Sequence, residues 1–293
     1  MACFNPLQGW RSRTANPSGK RSLVFNRNQG FEDQPVNVPC GQCIGCRLEK
    51  SRQWAIRCVH EAKLHEKNCF ITLTYNNENL PPGGSLDKQA FPKFMKRLRK
   101  KYGSKIRYFH CGEYGESLGR PHYHACLFNH DFPDRAIWRN TPDGPLYTSQ
   151  ALSTLWPFGF STIGEVTFAS AAYTARYILK KVTGETKEDH YDGRVSEYTT
   201  CSKSIGYDYY NRFKTDIFPH DKCIIQGKQV NVPKYYRNKY EIENPEQSLK
   251  LKGLRIKSFK LHEKDNTIRR LRDRETVKLA QISNLNRGLE NGD

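Results

Sequence analysis

No run of 18 or more apolar residues occurs in the 293-residue chain, which excludes a transmembrane helix of ordinary length. The opening Met1-Ala2-Cys3-Phe4-Asn5-Pro6 lacks the basic-then-apolar order of a secretory signal, so a soluble intracellular protein without a membrane partner is expected. No G-x-x-x-x-G-K-[ST] is present, hence no ATPase signature of that kind, and no internal repeat is visible. Acidic side chains are scarce: 30 Asp and Glu stand against 48 Lys and Arg, a formal charge of +18. That surplus points to polyanionic partners, nucleic acid foremost, rather than to a fold. Hydrophobic residues make up only 37%, yet aromatics reach 12%, too many for a disordered basic tail, so a packed core is expected. Ten cysteines in an intracellular chain argue for metal or redox chemistry before disulfides.

Residues 1–39, rich in Asn, Gly, Pro, Ser and Arg, read as mostly loop with short strands. Residues 47–67 contain neither Gly nor Pro and repeat apolar side chains near helical spacing, which predicts an amphipathic helix. Residues 70–75 are β-branched and aromatic and predict a buried strand. Ser85 is expected to cap a helix running to Tyr102, and residues 106–111 and 123–128 read as strands joined through a turn. The segment with Pro133, Pro142, Gly144 and Pro145 reads as irregular, residues 159–166 as a strand and 169–182 as a strong helix. A hairpin is expected around Gly227, and one charged helix from about Lys260 to Leu289. The order strand, helix, strand, strand, strand, helix suggests an α+β fold, an antiparallel sheet with helices on one face, of ferredoxin-like kind.

The most informative stretch is Pro121-His122-Tyr123-His124-Ala125-Cys126-Leu127-Phe128. Side chains alternate along a strand, so His122 and His124 project from one face while Tyr123, Ala125 and Leu127 enter a core. Two imidazoles make a partial metal site that lacks an oxygen ligand. If the preceding strand is an antiparallel neighbour, Glu113 returns beside His122, and Glu116 is the alternative carboxylate. Two His and one carboxylate with open positions suit Mn²⁺ or Mg²⁺ holding a phosphate. On the 169–182 helix, Ala175, Ile178, Leu179 and Val182 fill the apolar stripe, leaving Tyr173, Tyr177, Lys180 and Lys181 on the opposite face. That face must meet something polar and anionic. A phenol is a poor nucleophile near neutral pH, but a metal-held phosphodiester with lysines nearby supplies the missing electrophilicity.

His122-Tyr123-His124 resembles the His-hydrophobic-His motif of HUH endonucleases, with Glu113 where those enzymes place a third metal ligand. Residues 70–75 resemble their first motif, and Tyr173-Thr174-Ala175-Arg176-Tyr177 with Lys180-Lys181 resembles their two-tyrosine motif. Including Pro39-Cys40-Gly41-Gln42-Cys43-Ile44-Gly45-Cys46-Arg47 and Pro233-Lys234-Tyr235-Tyr236, essentially the whole chain resembles the replication initiators of microviruses, particularly the gokushovirus branch. The resemblance implies origin nicking, a 5′-phosphotyrosine and rolling-circle replication of a single-stranded DNA phage in the host bacterial cytoplasm. It further implies an N-terminal extension (1–66), an HUH core (67–185) and a basic C-terminal region (186–293).

Cys40-x2-Cys43-x2-Cys46 places three thiolates in one short loop, a strong metal signal. Cys58 lies too far along the expected helix to join them, as do His60 and His65, which leaves Cys3 as the preferred fourth ligand. Structural zinc is the expected metal, with a [4Fe–4S] cluster as the alternative. Residues 86–107 carry nine Lys or Arg and one Asp, so Lys96, Arg97, Arg99, Lys100 and Lys101 are expected to contact phosphates. Residues 250–278 carry eleven basic and four acidic residues, suited to a DNA clamp or a mobile arm. Single-stranded or locally melted origin DNA is the expected partner, and a chain without its own motor depends on a host helicase. The reading of a different class is a noncatalytic, zinc-stapled nucleic-acid-binding protein whose histidines and tyrosines only stack bases or fill a core.

Overall fold

The structure, a computed structural model, describes residues 3–17, 19, 21–115, 118–142, 144–176 and 187–284. Two compact units are present, one formed by Met1–Glu49 with Lys252–Leu285 and a larger one formed by Lys50–Leu251. In the first, β1 (Leu7–Ala15), β2 (Arg21–Val24) and β3 (Gly30–Val38) form an antiparallel sheet in the order β2-β1-β3. The sequence reads as mostly loop here because few residues of these strands are buried, Gly9, Ser12 and Gly30 among them, so no apolar alternation marks them. Helix α1 (Ile44–Ala62) follows and begins three residues before the expected start.

The larger unit is built on a seven-stranded antiparallel sheet. Its strands are β4 (Asn68–Thr74), β5 (Arg107–Tyr114), β6 (Pro121–Phe128), β7 (Ala136–Thr141), β8 (Gly144–Thr148), β9 (Ser161–Gly164) and β10 (Tyr198–Cys201). Their spatial order is β10-β5-β6-β4-β9-β8-β7. The α+β antiparallel architecture is therefore as expected. One face packs on α2 (Ala90–Tyr102) and α3 (Gln150–Leu155), through Ile71, Leu73, Tyr123, Ala125 and Leu127 against Phe91, Phe94, Leu98 and Leu152. The other face is covered as well: Phe70, Phe109, Cys111, Cys126 and Phe128 cluster with Ala55 and Cys58 of α1 and with Ala171 and Ala175 of α4 (Phe168–Arg176). Coverage on both faces explains why all eight residues of the central strand β6 are buried, histidines included. The stretch after 186 returns to this sheet as the edge strand β10, which pairs with β5.

Several local expectations are corrected. Ser85 does not cap α2. Its hydroxyl accepts from the Val195 N–H at 3.0 Å, and the helix starts at Ala90. Pro92 thereby falls in the first turn, where its missing N–H costs no helical bond. The irregular segment is the β7–β8 hairpin, with Pro145 opposite Asn140 near the turn and outside the single β8–β9 pair, Tyr147 with Ile163. Of the expected 169–182 helix, residues 177–182 lie outside the described residues.

Beyond the sheet come α5 (Lys187–Tyr191), α6 (Tyr207–Ile217), the hairpin β11 (Lys222–Ile225) with β12 (Lys228–Asn231), α7 (Lys234–Glu243) and α8 (Pro245–Leu261). Gln226 and Gly227 link that hairpin with φ of 49° and 74°, the positive pair a two-residue turn of primed type requires. The expected single C-terminal helix is broken by a 3₁₀ turn at Glu263–Asn266, after which Thr267 caps α9 (Ile268–Ser283) by accepting from the Arg270 N–H. Among the described residues, no helix is long and apolar enough to cross a membrane.

Candidate functional site

Strands β5 and β6 are antiparallel neighbours in a register that sets Glu113 opposite His122 and Cys111 opposite His124. Opposed residues project to the same face, so the carboxylate and both imidazoles share it. Glu113 Oε1 lies 2.6 Å from His124 Nε2, and the two imidazole rings are nearly parallel with centroids 6.3 Å apart. All three side chains are buried. His122 Nδ1–H donates to the Arg120 carbonyl at 2.9 Å, which sets the tautomer and puts the ring's lone pair on Nε2. His124 Nδ1 lies 3.0 Å from Thr72 Oγ1 on β4. The turn between β5 and β6 closes on Gly115, whose N–H donates to the Arg120 carbonyl. A Cβ there would sit 2.9 Å from His122 Cε1, so only glycine lets the imidazole approach. Two imidazoles and a carboxylate on one face, one imidazole already anchored through its second nitrogen, are a donor set that a divalent ion takes.

Helix α4 brings Tyr173 over this cluster. The phenol donates to Glu113 Oε1 at 3.4 Å, and the ring stands edge-on to His124, centroid to centroid 5.0 Å. With 6% exposure and Ala171 and Ala175 in the same cluster, Tyr173 faces the sheet rather than solvent, which corrects the helical-wheel expectation. The reason lies in the sheet: its α4 face carries Glu113, and the Tyr173 phenol reaches that carboxylate. Tyr177, Lys180, Lys181 and Glu116 lie outside the described residues. A cleft opens beside the cluster, lined by His124, Tyr173, Thr72, Trp138, Arg139 and Phe160 among others. Trp138 and Phe160 belong to no motif of the sequence. A tryptophan next to an arginine in a segment too polar to need it for a core was the available signal.

In the N-terminal unit, ligand atoms of Cys3, Cys40, Cys43 and Cys46 all lie within 4.8 Å of one another, the geometry of a group able to hold a metal ion. Cys3 Sγ is 3.7 Å from Cys40 Sγ and 3.9 Å from Cys43 Sγ. A tetrahedral ion with bonds of about 2.3 Å sets its sulfurs about 3.8 Å apart. A four-iron cluster binds each thiolate through a different iron and needs a wider cage. The N–H groups of Phe4, Cys40 and Cys43 each donate to a thiol sulfur at 3.3 Å. Burial pushes the Cys43 thiol up, but the backbone N–H groups of Phe4, Cys46 and Asn5 outweigh it and bring it down to about 7, which favours a thiolate ligand. Cys58 sits in the core between α1 and the sheet.

Two of the arginines expected on phosphate hold backbone carbonyls in the folded chain. Arg97 donates Nε and Nη2 to the Leu155 carbonyl at 3.0 and 2.8 Å, and Arg99 donates the same pair to the Ile106 carbonyl at 3.1 and 2.7 Å. Lys96, Lys100 and Lys101 are exposed on α2. That helix covers the sheet face opposite to Glu113, His122 and His124, so none of the five lines the cleft.

A family model for replication-associated proteins of the ORF2 type matches residues 68–182, the span that carries β4 through α4. The chain is 35% identical over 263 residues to the Replication-associated protein ORF2 of Spiroplasma virus 4, a match covering 83% of this chain and 81% of the relative. It is 32% identical over 274 residues to the Replication-associated protein VP4 of Bdellovibrio phage phiMH2K, covering 90% of this chain and 85% of the relative. A third relative, the Replication-associated protein ORF4 of Chlamydia phage 1, is 29% identical over 219 residues, covering 69% of this chain and 53% of the relative. No solved structure matches the chain. With most of both chains aligned at this identity, the protein belongs to the ORF2 family of replication-associated proteins.

Proposed function

We propose that the chain is a metal-dependent tyrosine nickase and DNA strand transferase that initiates rolling-circle replication of a small single-stranded DNA phage. The observation that carries this reading is the Tyr173 phenol bonded to Glu113 beside His124, on the face shared with His122. A Mg²⁺ or Mn²⁺ ion held by His122, His124 and Glu113 supplies electrophilic activation of the scissile phosphate when bound. The Arg120 carbonyl holds His122 in register, and Glu113 orients the phenol oxygen through the hydrogen bond it accepts. Attack by Tyr173 Oη forms a phosphorus–oxygen bond and breaks the bond to the 3′-oxygen. The phenol gives up its proton and the departing oxygen takes one, leaving a 5′-phosphotyrosine and a 3′-hydroxyl. Because the ester is exchanged rather than hydrolysed, a later 3′-hydroxyl reverses the step and religates. Tyr177, four residues on, serves as the second nucleophile, and Lys180 or Lys181 stabilises charge or supplies the proton.

Cys3, Cys40, Cys43 and Cys46 hold a structural zinc that ties the chain's start to the loop before α1. The setting is the host bacterial cytoplasm, and strand separation falls to a host helicase, since the sequence has no P-loop. Lys96, Lys100 and Lys101 are assigned to DNA flanking the cleavage point, because their helix lies behind the sheet.

The test is incubation with an origin-spanning single-stranded oligonucleotide and Mn²⁺, followed by a denaturing gel. A covalent protein–DNA band is expected from the native chain and none from His122→Ala with His124→Ala, which still binds DNA. The noncatalytic reading draws on the burial of Tyr173, which a core tyrosine shares. Tight binding without a covalent species under any divalent metal supports it.

A further inference from the structure

We propose that Trp138 and Phe160 form a stacking platform that holds one unpaired DNA base next to the scissile phosphate. The proposal deepens the strand-cleavage reading and rests on it for the position of that phosphate. Both rings are unusually open for their size, Trp138 at 43% and Phe160 at 47% exposure, whereas Trp156 of the same unit is fully buried. They meet each other at 5.0 Å between centroids, with planes 62° apart. Neither position is accidental. In the β7–β8 register Ile137 faces Tyr147 and Arg139 faces Leu146, so one extra residue, Trp138, bulges out of the ladder. Such bulges re-aim a side chain, and they gather next to active sites. Phe160 is fixed from below, because Thr74 donates both its N–H and its hydroxyl to the Phe160 carbonyl at 2.9 Å.

The chemistry around the pair selects its occupant. The Arg139 guanidinium lies 4.6 Å from the Trp138 ring centroid. The same cleft runs on to His124 and Tyr173 over threonine hydroxyls. An unpaired base offers an apolar face to one ring while the other, set at 62° to it, closes the side, and it adds polar edges for the threonines and a neighbouring phosphate for the arginine. Inside a duplex both faces of a base are covered by its stacked neighbours and its edge is paired, so the platform discriminates single strands from duplex. It also gives the site a hold on the strand that the basic helix α2, on the opposite face of the sheet, cannot provide.

The test uses the full chain, a labelled oligothymidylate and a blunt duplex, with binding read by fluorescence anisotropy over a salt series. Trp138→Ala and Phe160→Ala are each expected to weaken single-strand binding by about tenfold or more, with duplex binding unchanged. Trp138→Phe keeps a ring and is expected to restore most of the loss. Arg139→Gln is expected to lower the salt slope by about one contact, which neither aromatic variant does. The binding is read with chelator present and no divalent metal, so no strand is cut and failure of the strand-cleavage reading leaves this result intact. Native single-strand affinity in the alanine variants, with circular dichroism unchanged, overturns the proposal. So does an equal loss on duplex, or a changed oligomeric state with DNA binding unchanged.

Discussion

Replacing Cys3 by Ser removes the ligand farthest in sequence from the other three and tests the metal site at its least local point. Cys3 and Cys40 are 37 positions apart, and a metal shared between them closes that loop in the unfolded chain. By the chain-entropy estimate used for covalent cross-links, closing a loop of this length is worth about 4 kcal/mol. Loss of that link raises the population of the opened N-terminal segment by roughly a thousandfold at ~1.4 kcal/mol per decade. The readouts are metal content and amide exchange. Protein purified without chelator is expected to contain about one zinc per chain, and Cys3→Ser much less. The Phe4 and Cys40 amides, which donate to sulfur in the native chain, are expected to exchange faster by about that thousandfold factor. Cys58→Ala serves as the control, because Cys58 lies in the core cluster and not among the four thiols. Full metal content in Cys3→Ser together with loss in Cys58→Ala refutes the assignment.

Tyr173→Phe keeps the ring and removes a hydrogen bond that is long at 3.4 Å, so stability is expected to change by less than about 1 kcal/mol in urea melts. If the two tyrosines alternate, either single Phe variant still forms some adduct but fails to release a closed circle, and Tyr173→Phe with Tyr177→Phe forms none. A single variant that is dead for adduct while the other terminates normally refutes alternation. Gly115→Ala places a carbon 2.9 Å from His122 Cε1, so adduct formation is expected to fall by about tenfold or more while oligonucleotide binding holds. Arg99→Ala breaks two charge-assisted bonds to the Ile106 carbonyl and is expected to cost about 1.5–3 kcal/mol with no change in the salt dependence of DNA binding; a flatter salt slope contradicts the placement of Arg99. Burial, with Lys63 nearby, brings His60 down from 6.5 to about 3, and burial brings His130 to about 4, so the folded chain keeps both neutral while the unfolded chain protonates. Stability is then full above pH 6.5 and falls as pH drops toward the folded values, by up to ~1.4 kcal/mol per pH unit for each group; a urea midpoint that stays constant over that interval contradicts this.

The site was legible in the sequence wherever a short-range rule fixed it. Strand alternation put His122 and His124 on one face, and a turn of few residues returned Glu113 to them in the next strand. For the fourth thiol, helix length rules out Cys58, which a helix starting near Arg47 carries away from the loop, and the loop setting of Cys3 makes it the remaining choice. What could not be read depends on long-range packing. Nothing local says that the sheet is covered on both faces, and so the helical wheel set Tyr173 opposite Ala175 when both pack on the sheet. The basic run on α2 is legible as a charged surface, but composition does not tell which side of a sheet a helix takes, or that Arg97 and Arg99 also satisfy carbonyls. The extent of the N-terminal sheet and the β7–β8 hairpin are hidden for a different reason: they are polar or proline-broken and lack the apolar period that marks a strand.

The central claim is that a tyrosine of α4 or of the residues that follow it takes the 5′ end of a cut strand. The most direct measurement is proteolytic digestion of the protein after incubation with the origin-spanning oligonucleotide and Mn²⁺, then mass spectrometry of any peptide carrying a nucleotide. The account predicts a 5′-phosphonucleotide on Tyr173 or Tyr177 and a free 3′-hydroxyl on the released fragment. A nucleotide on another residue, or cleavage products with no peptide attached, contradicts it.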